Sequence, residues 1–581
     1  MARMTLPEAD SAVVTMPAPR NVVNPAARLR LYIVLTLVSL ALLFYSAAQV
    51  RPVVVEPTAL LGLVSYLPPA YWLGLGLLLL CSIAAFVDTP TANRAVFMFI
   101  LITLSLYLIG IAPLVEANAR IPEVYYPVSE VKHILETGHL NIVEPYPLVS
   151  YRNWPALHFL SAEIMEITGL SLTFVKYAPF VWGLSFVLIT WGLGSRLGLS
   201  ANRAFLLSFL GLASWWGSAD YLAKDIAMIL YLTLLMLAIE PRKTVGEALL
   251  TILVFGGLVV THGLTSVMAL LLLVALAGFR REGRFFLLFA TVFGAWYMYQ
   301  GVSALERAVQ LQKEIPMYQF LLLANPGKYQ TGGLSVFTRE VFRYSQLAYL
   351  ALYGTFLLGS ALFFLRGRVP TRQRRQALAL FLPVAASLLL VLSFYGELDV
   401  RLYFFGLVPI IAMILLTWPI RIPLIVLMVA FTALLPITRY SMEAGWPQVL
   451  TSELRGGEFM ASKVSPQRTF FYNWGGNIIF YYDPNLVGVG YLSLAWYPGW
   501  PFYGGVQNVN LSYLDGMSYV ILSKQGTDSM LLSWGMDPFQ RWPQTAAGQA
   551  ANRIYDNGSF YQVFQNRNLP PRGFGFGRLG N

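Results

Sequence analysis

The sequence predicts a mainly α, polytopic membrane protein: a bundle of about 13 transmembrane helices followed by a C-terminal domain outside the membrane. The chain has 581 residues, of which 57% are hydrophobic and only 12% are charged. A soluble chain would be roughly a quarter charged. Many apolar runs of about 17–22 residues are long enough to cross a bilayer as helices. A soluble protein with a very apolar core is the alternative, and the charge deficit disfavours it.

Thirteen apolar runs are predicted to span the membrane. Their approximate bounds are 31–49, 68–87, 95–113, 173–194, 204–217, 224–239, 247–260, 264–279, 285–303, 344–365, 377–394, 402–417 and 422–437. The count is least constrained within 247–279, where a bend around Thr261-His262-Gly263 separates what we interpret as two short helices.

Basic residues in the short connections orient the bundle. With the N-terminus inside, every strongly basic short loop falls on the inner side, as the positive-inside rule expects. The inner residues are Arg20, Arg28, Arg30, Arg94, Arg196, Arg203, Arg242, Lys243, Arg280, Arg281, Arg284, Arg366, Arg368, Arg372, Arg374, Arg375 and Arg421. Topology and contact with anionic lipids therefore explain the net charge of +11, and we expect no nucleic-acid partner.

The regions outside the spans complete the predicted organisation. Residues 1–30 form a Pro/Ala-rich tail, which we expect to be disordered and cytoplasmic, with no evident cleavable signal. The transmembrane domain, 31–439, carries two long outer loops at about 114–172 and 304–343. Residues 440–581 suffice for a small extracytoplasmic domain.

The pattern of residues 440–581 predicts an α+β or β-rich domain. Its apolar residues occur in short aromatic and β-branched runs, namely "RTFFYNW", "NIIFYYD", "GYLSLAW" and "SYVILSK". Gly, Pro and Asn separate these runs, as is typical of strands and turns. The stretch "NRIYDNGSFYQVF" predicts a hairpin, because Asn557-Gly558 accommodates the positive φ angles of a tight turn.

Charged residues gather at the predicted outer ends of the spans. The stretch "SFYGELDVRLYFFGL" places Glu397, Asp399 and Arg401 between spans eleven and twelve. The same side carries Glu116, Glu123 and Glu130 in the first outer loop, Asp220, Lys224 and Asp225 at span six, and His262 at the bend. Ionisable groups at the mouth of an apolar bundle are costly unless they are paired, hydrated or functional. Each one taken singly fits an interfacial side chain that reaches water, but their joint occurrence favours a site.

These residue types suit transfer chemistry on a phosphorylated lipid. One Arg and one Lys, partly desolvated, can hold a phosphate or diphosphate. A carboxylate nearby can take a proton from an attacking hydroxyl or amine. An apolar groove between helices would accept a polyprenyl tail. Sugar transfer from a polyprenyl-phosphate donor is therefore one option among several.

The order of these features resembles the GT-C superfamily of integral membrane glycosyltransferases. That superfamily includes protein O-mannosyltransferases, aminoarabinose transferases and the catalytic subunits of oligosaccharyltransferases. Four phrases are similar to family stretches: "EVYYPVSEVKHILETGHLNI", "YRNWPALHFLSAEIMEITGLS", "VVTHGLTSVMALLLL" and "DVRLYFFGLVPIIAMI". The resemblance covers most of the chain and implies a topology with a long first outer loop and a C-terminal exterior domain.

The resemblance implies roles for individual residues. It places the catalytic acid of the first loop on Glu123, where the family commonly has Asp, with Glu116 as the rival. Arg401 matches the position that contacts the lipid phosphate, and Lys224 opens a span where relatives place polar donor contacts. Asp220, Asp225, His262, Glu397 and Asp399 are expected to line the site. The alternatives are a solvated loop carboxylate for Glu123 and a span-end anchor for Arg401.

The resemblance leaves the metal question open. Oligosaccharyltransferase relatives hold a divalent cation with acidic residues, and Glu123 with Asp220 or Asp225 could do so here. Four histidines and one cysteine make a zinc site improbable, whereas Mg²⁺ or Mn²⁺ stays open. We favour a metal-free site, as expected for a monophosphate donor. The expected partners are a polyprenyl-phosphate sugar donor, a protein, glycan or lipid acceptor, and the lipids of a prokaryotic plasma membrane.

Two other classes remain. A non-catalytic GT-C-like subunit would keep the fold without the acid, and Glu in place of Asp at 123 and Pro127 are its best support. A transporter of lipid-linked saccharides predicts internal repeats and charges buried in mid-span, neither of which is clear in the sequence.

Overall fold

The structure is a computed structural model of the whole chain. It describes residues 24–55, 61–88, 93–120, 124–140, 153–214, 221–239, 244–280, 283–300, 376–381, 398–417, 425–433, 449–463, 470–472, 488–490, 517–524, 538–557 and 561–565, with a few isolated positions between them.

Helices dominate the first 300 residues. They are α1 (Pro25–Val50), α2 (Pro69–Val87), α3 (Arg94–Leu108), α4 (Ile111–Val115), α5 (Tyr125–Thr137), α6 (Ala156–Thr168), α7 (Ala178–Arg196), α8 (Ala201–Ala213), α9 (Ala223–Ala238), α10 (Val245–Thr261), α11 (Gly263–Arg280) and α12 (Gly283–Tyr299). Later helical parts are 376–381, α13 (Leu398–Thr417), 425–433, α14 (Thr451–Lys463) and α15 (Ala546–Ala550). Short 3₁₀ helices cover Gly62–Tyr66, Leu172–Tyr177 and Pro538–Gln544. The mainly α, polytopic fold is confirmed.

Length and composition identify spanning helices within the part that the structure describes. Three helical segments, Pro25–Val50, Pro69–Val87 and Leu172–Arg196, are long and apolar enough to cross a bilayer. Six shorter apolar helices of 10–17 residues accompany them. The total of thirteen spans and their orientation remain predictions.

One predicted span is interrupted. The run 95–113 forms α3 and α4, which are separated at Ile109 and Gly110. Pro113 has no backbone N–H and therefore cannot donate to the carbonyl of Ile109, as a continuous helix would require. The chain continues as the short α4, and Glu116 follows its last residue.

Side-chain hydroxyls join the first three helices. Tyr107 of α3 donates to the carbonyl of Ser39 in α1 (2.6 Å), and Ser39 donates to the carbonyl of Gly74 in α2 (2.8 Å). Tyr71 of α2 donates to the carbonyl of Tyr107 (2.9 Å). Polar side chains and small residues commonly hold helices together where lipid gives no hydrophobic driving force.

The bend around His262 takes the form that the sequence predicts. α10 ends at Thr261, His262 has an extended backbone (φ −158°, ψ 122°), and α11 begins at Gly263. The two predicted runs within 247–279 are therefore two helices.

The C-terminal region contains a five-stranded mixed sheet. Its strands are β1 (Phe470–Tyr472), β2 (Gly488–Gly490), β3 (Tyr519–Ser523), β4 (Asn552–Asp556) and β5 (Tyr561–Gln565), in the spatial order β2-β1-β3-β5-β4. β1 is parallel to β2 and β3, whereas β5 is antiparallel to β3 and β4. The predicted hairpin is present as β4 and β5. The predicted strand 477–483 lies outside the described residues.

Candidate functional site

A buried ion pair lies directly after α4. Glu116 follows the last residue of α4, and its carboxylate lies 3.1 Å from the guanidinium of Arg120, four residues later. The exposed fractions of the two side chains are only 1% and 7%. Two opposite charges can be buried together because their attraction compensates part of the desolvation cost of each.

Lys176 reaches the same place from another element. It lies in the 3₁₀ helix Leu172–Tyr177, which leads into α7. Its ammonium group donates to the carbonyl oxygens of Glu116 and Ala117, the latter at 3.2 Å. These carbonyls follow the end of α4 and have no partner within that helix, so a cation there is favourable.

A pocket surrounds these charges. Its lining residues are Ile109, Ala112, Pro113, Glu116, Asn118, Ala119, Arg120, Val124, Val175, Lys176, Pro179 and Tyr221. Tyr221 donates a hydrogen bond to the hydroxyl of Ser161 in α6. Burial raises the pKa of the Tyr221 phenol further above neutral pH. Among the described lining residues, the ionic groups are two cations and one carboxylate, so their net charge is positive and suits an anionic ligand.

A hydrophobic cluster that shares Val124 and Tyr221 with the pocket lining joins four parts of the chain. It includes Val124 and Val128 of the first loop region, Leu157 of α6, Leu222 before α9, and Val449 before α14. The start of α9, the region of α5 and α6, and the start of the C-terminal region therefore meet at one place.

The structure places the sequence-predicted site residues as follows. Glu116 lies in the pocket, while Lys224 is half-buried and Asp225 fully buried in the first turn of α9. The nearby Tyr221 brings this turn to the pocket that contains Glu116. Glu123, Asp220 and Glu397 lie outside the described residues. Asp399 and Arg401 belong to the first turn of α13, with only their backbones described.

His262 acts as a helix cap. Its Nδ1 accepts the backbone N–H of Thr265 (3.3 Å) and lies 2.8 Å from the Thr265 hydroxyl. This satisfies one of the free N–H groups at the start of α11. That His262 lines the site stays a prediction.

Trp154 fixes the first outer loop against this bend. Its indole lies on Gly263, and its ring centroid is 6.4 Å from that of Tyr297 in α12, edge to face. The adjacent carbonyl of Asn153 accepts a hydrogen bond from the indole of Trp296 (3.2 Å). The segment that precedes α6 is therefore held by α11 and α12.

Replacing Gly263 with Ala should destabilise this contact. A Cβ at position 263 would lie 2.9 Å from Cε2 and 3.0 Å from Cη2 of Trp154, and closer still to Cζ2. Because a buried indole is rigid, we expect a loss of about 1–3 kcal/mol in the free energy of unfolding. The matched control is Gly256→Ala in α10, where a Cβ meets nothing within 4 Å. Thermal unfolding in detergent measures both, and equal midpoints would refute the close contact.

Several residues of the described region were not singled out from the sequence. They include Arg120, Lys176, Asn118 and Tyr221, which line the pocket, and His158, which is buried in α6. The sequence could have indicated Arg120, because a basic residue four positions after Glu116 favours an ion pair. The sequence could also have indicated Lys176, because it is a lone cation at the predicted outer end of an apolar run. His158 lies in an amphipathic stretch, and the sequence gives no such indication for it.

The described residues do not assemble a metal site. Among them, no group of three or more His, Cys, Asp or Glu side chains is placed to hold an ion. Two of the carboxylates proposed for a divalent cation, Glu123 and Asp220, are outside the described residues.

Comparisons with known proteins returned matches in structure alone. No family model matches the chain, and no curated protein does. The chain is similar to the crystal structure of the Archaeoglobus fulgidus oligosaccharyltransferase in complex with Zn and sulfate, with 14% identity and a TM-score of 0.44, over 82% of this chain and 74% of that one. It is also similar to ArnT from Cupriavidus metallidurans in the apo state (12% identity, TM-score 0.36) and bound to undecaprenyl phosphate (12%, 0.39), over 82% of this chain and 99% of those.

Both similar proteins are GT-C glycosyltransferases, the superfamily that the sequence resembles. The identities are below 15% and the TM-scores below 0.5, so these similarities assign no role to any residue of this chain.

Proposed function

We propose that this protein is an inverting membrane glycosyltransferase of the GT-C type, which moves a sugar from a polyprenyl-phosphate donor to an acceptor on the outer face. One observation carries the proposal. Glu116 and Arg120 of one segment and Lys176 of the 3₁₀ helix Leu172–Tyr177 converge on a pocket at the predicted outer end of an apolar bundle. Such charges are costly to bury. Binding of an anionic headgroup attached to an apolar tail would account for their presence at this position.

The catalytic base in this proposal is Glu123. Its flanking neighbours in the described chain, Arg120 and Val124, both line the pocket, which supports a place for Glu123 at the same site. Glu116, the rival, is already engaged by Arg120. A carboxylate that accepts a proton must also reach the acceptor, and Glu116 is 1% exposed.

The leaving phosphate is balanced by Arg401, with Lys224 as the second cation. Lys224 lies in the first turn of α9, next to the residues that contact the pocket. Arg401 occupies the first turn of α13, whose preceding segment contains Glu397. Asp220, Asp225, Asp399 and His262 complete the lining in this proposal.

The transfer step is a single displacement. The acceptor oxygen or nitrogen forms a bond to the anomeric carbon while the bond from that carbon to the phosphate oxygen breaks. The phosphate leaves with the electron pair, and Glu123 takes the proton of the acceptor. The configuration at the anomeric carbon therefore inverts.

The C-terminal domain guides the acceptor in this proposal. Residues 440–581 then lie outside a prokaryotic plasma membrane, where the donor headgroup is also exposed. The acceptor is a protein, a glycan or a lipid.

A transfer assay tests the proposed function. Membranes containing the wild-type protein are supplied with radiolabelled polyprenyl-phosphate sugars, and label reaching an acceptor is measured. We expect Arg401→Ala to lower the transfer by about 100-fold, because it removes charge stabilisation from the leaving phosphate. Arg372→Ala, in a predicted inner loop, is the matched control and should transfer at the wild-type rate.

Two results would contradict the proposal. Undiminished transfer by Arg401→Ala would remove that residue from the site. Absence of transfer by the wild type with every donor, while polyprenyl phosphate still binds, would identify a non-catalytic subunit.

A further inference from the structure

The segment Glu116–Arg120 carries both members of the buried ion pair but belongs to no helix or strand. Its geometry therefore depends on contacts with other parts of the chain. One contact is on the bundle side, where Lys176 donates to the carbonyls of Glu116 and Ala117. A second comes from the C-terminal region.

Asn118 makes the second contact. Its Nδ2 donates to the backbone carbonyl of Val449 (3.0 Å) and to the hydroxyl of Thr451 (3.3 Å). In the opposite direction, the backbone N–H of Val449 donates to the carbonyl of Arg120 (3.3 Å). Both backbone groups of Val449 thus hold the segment, one at residue 118 and one at residue 120.

Val449 is itself firmly placed. Its side chain is 1% exposed and belongs to the cluster that shares Val124 and Tyr221 with the pocket lining. The next residue, Leu450, donates its N–H to the carboxylate of Glu453 (3.1 Å), which caps α14. Asn557, at the end of β4, donates to the carbonyl of Ser452 (2.8 Å). The first residues of α14 are therefore fixed by the sheet of the C-terminal region.

We propose that Asn118 is a positioning residue, which sets the placement of Arg120 in the pocket by tying the segment Glu116–Arg120 to Val449. This inference rests on the proposed function and deepens it, because it makes the C-terminal region a structural part of the transfer site. Without the Asn118 amide, the described hydrogen bond between the segment and Val449 is the one from the Val449 N–H to the carbonyl of Arg120. The segment then opens more often, and the reacting groups spend less time in the productive arrangement.

A labelling experiment tests the tie without any need for activity. Ala119, which is buried in the same segment, is replaced with Cys in a chain whose own Cys81 is changed to Ala. We expect Asn118→Ala to raise the rate of maleimide labelling at position 119 by about tenfold in detergent, since it removes two hydrogen bonds. A Cys at the exposed Thr137 controls for reagent access and should react equally in both backgrounds. An unchanged rate at 119 overturns the proposal.

Steady-state kinetics test the consequence for transfer. We expect Asn118→Ala to lower kcat by about tenfold with little change in the KM for the donor. Asn118→Asp has the same shape but cannot donate, so it should be as slow as Ala, whereas Asn118→Gln retains the donor and should recover part of the rate. Thr451→Val removes only the longer contact and should have a smaller effect.

The outcomes separate this inference from the proposed function. If labelling rises but kcat in Asn118→Ala equals that of the wild type, Asn118 is not a positioning residue. If the wild type transfers no sugar while labelling of Asn118→Ala still rises, the tie stands and the proposed function fails.

Discussion

Replacing Glu123 with Gln should lower the rate of sugar transfer by about 100-fold or more. Gln keeps the size and the hydrogen-bonding capacity of the side chain but cannot accept the acceptor's proton, and general base catalysis contributes about 10²–10⁴ in rate. The donor should still bind, because Glu123 has no attractive role toward a phosphate. The measurement is single-turnover transfer with saturating labelled donor, together with donor binding in the same preparation.

Two variants make the prediction about Glu123 specific. Glu123→Asp restores the residue that the family commonly has, and its rate should stay within about tenfold of the wild type because the function of the carboxylate is kept. Glu116→Gln removes the partner of Arg120 and tests the rival base. If Glu116→Gln is folded but inactive while Glu123→Gln is active, the catalytic base is Glu116 and not Glu123.

The described helices were predictable because a helix in lipid requires a continuous apolar run, which is a local feature of the sequence. Each apolar run needs about 20 residues to cross the bilayer, and its length fixes both ends within a few positions. The break at His262 was visible for the same reason, since a polar residue beside Gly interrupts the run. The hairpin of β4 and β5 was also local, because Asn557-Gly558 separates two alternating stretches.

The pocket was only partly predictable, because its contacts are not local. The bond from Asn118 to Val449 joins residues 331 positions apart, and no pattern around either residue indicates the other. Lys176 similarly reaches a backbone carbonyl 60 positions away. The sequence predicts that charges gather at one end of the bundle, but the pairing of Glu116 with Arg120 and the contacts of Lys176 follow from tertiary packing.

Removal of the guanidinium of Arg120 should be among the most destabilising single changes in the described part of the chain. Arg120→Met keeps much of the side-chain volume but leaves the carboxylate of Glu116 without its cationic partner at 1% exposure. Breaking a buried pair from one side costs about 3–5 kcal/mol, because the remaining charge stays desolvated. We expect the midpoint of thermal unfolding in detergent to fall by several degrees.

The double variant Glu116→Leu/Arg120→Met separates charge burial from packing. With both charges removed, most of the lost stability should return, since apolar residues of similar volume can replace a buried pair at little cost. The double variant should nevertheless transfer sugar poorly, because the pocket keeps its net charge but loses the guanidinium, whose N–H groups can donate to a phosphate. A double variant as unstable as Arg120→Met would instead assign the stability to the shape of the arginine side chain. Because stability should recover in the double variant while transfer stays low, the pair of measurements distinguishes a cation retained for function from one retained for folding.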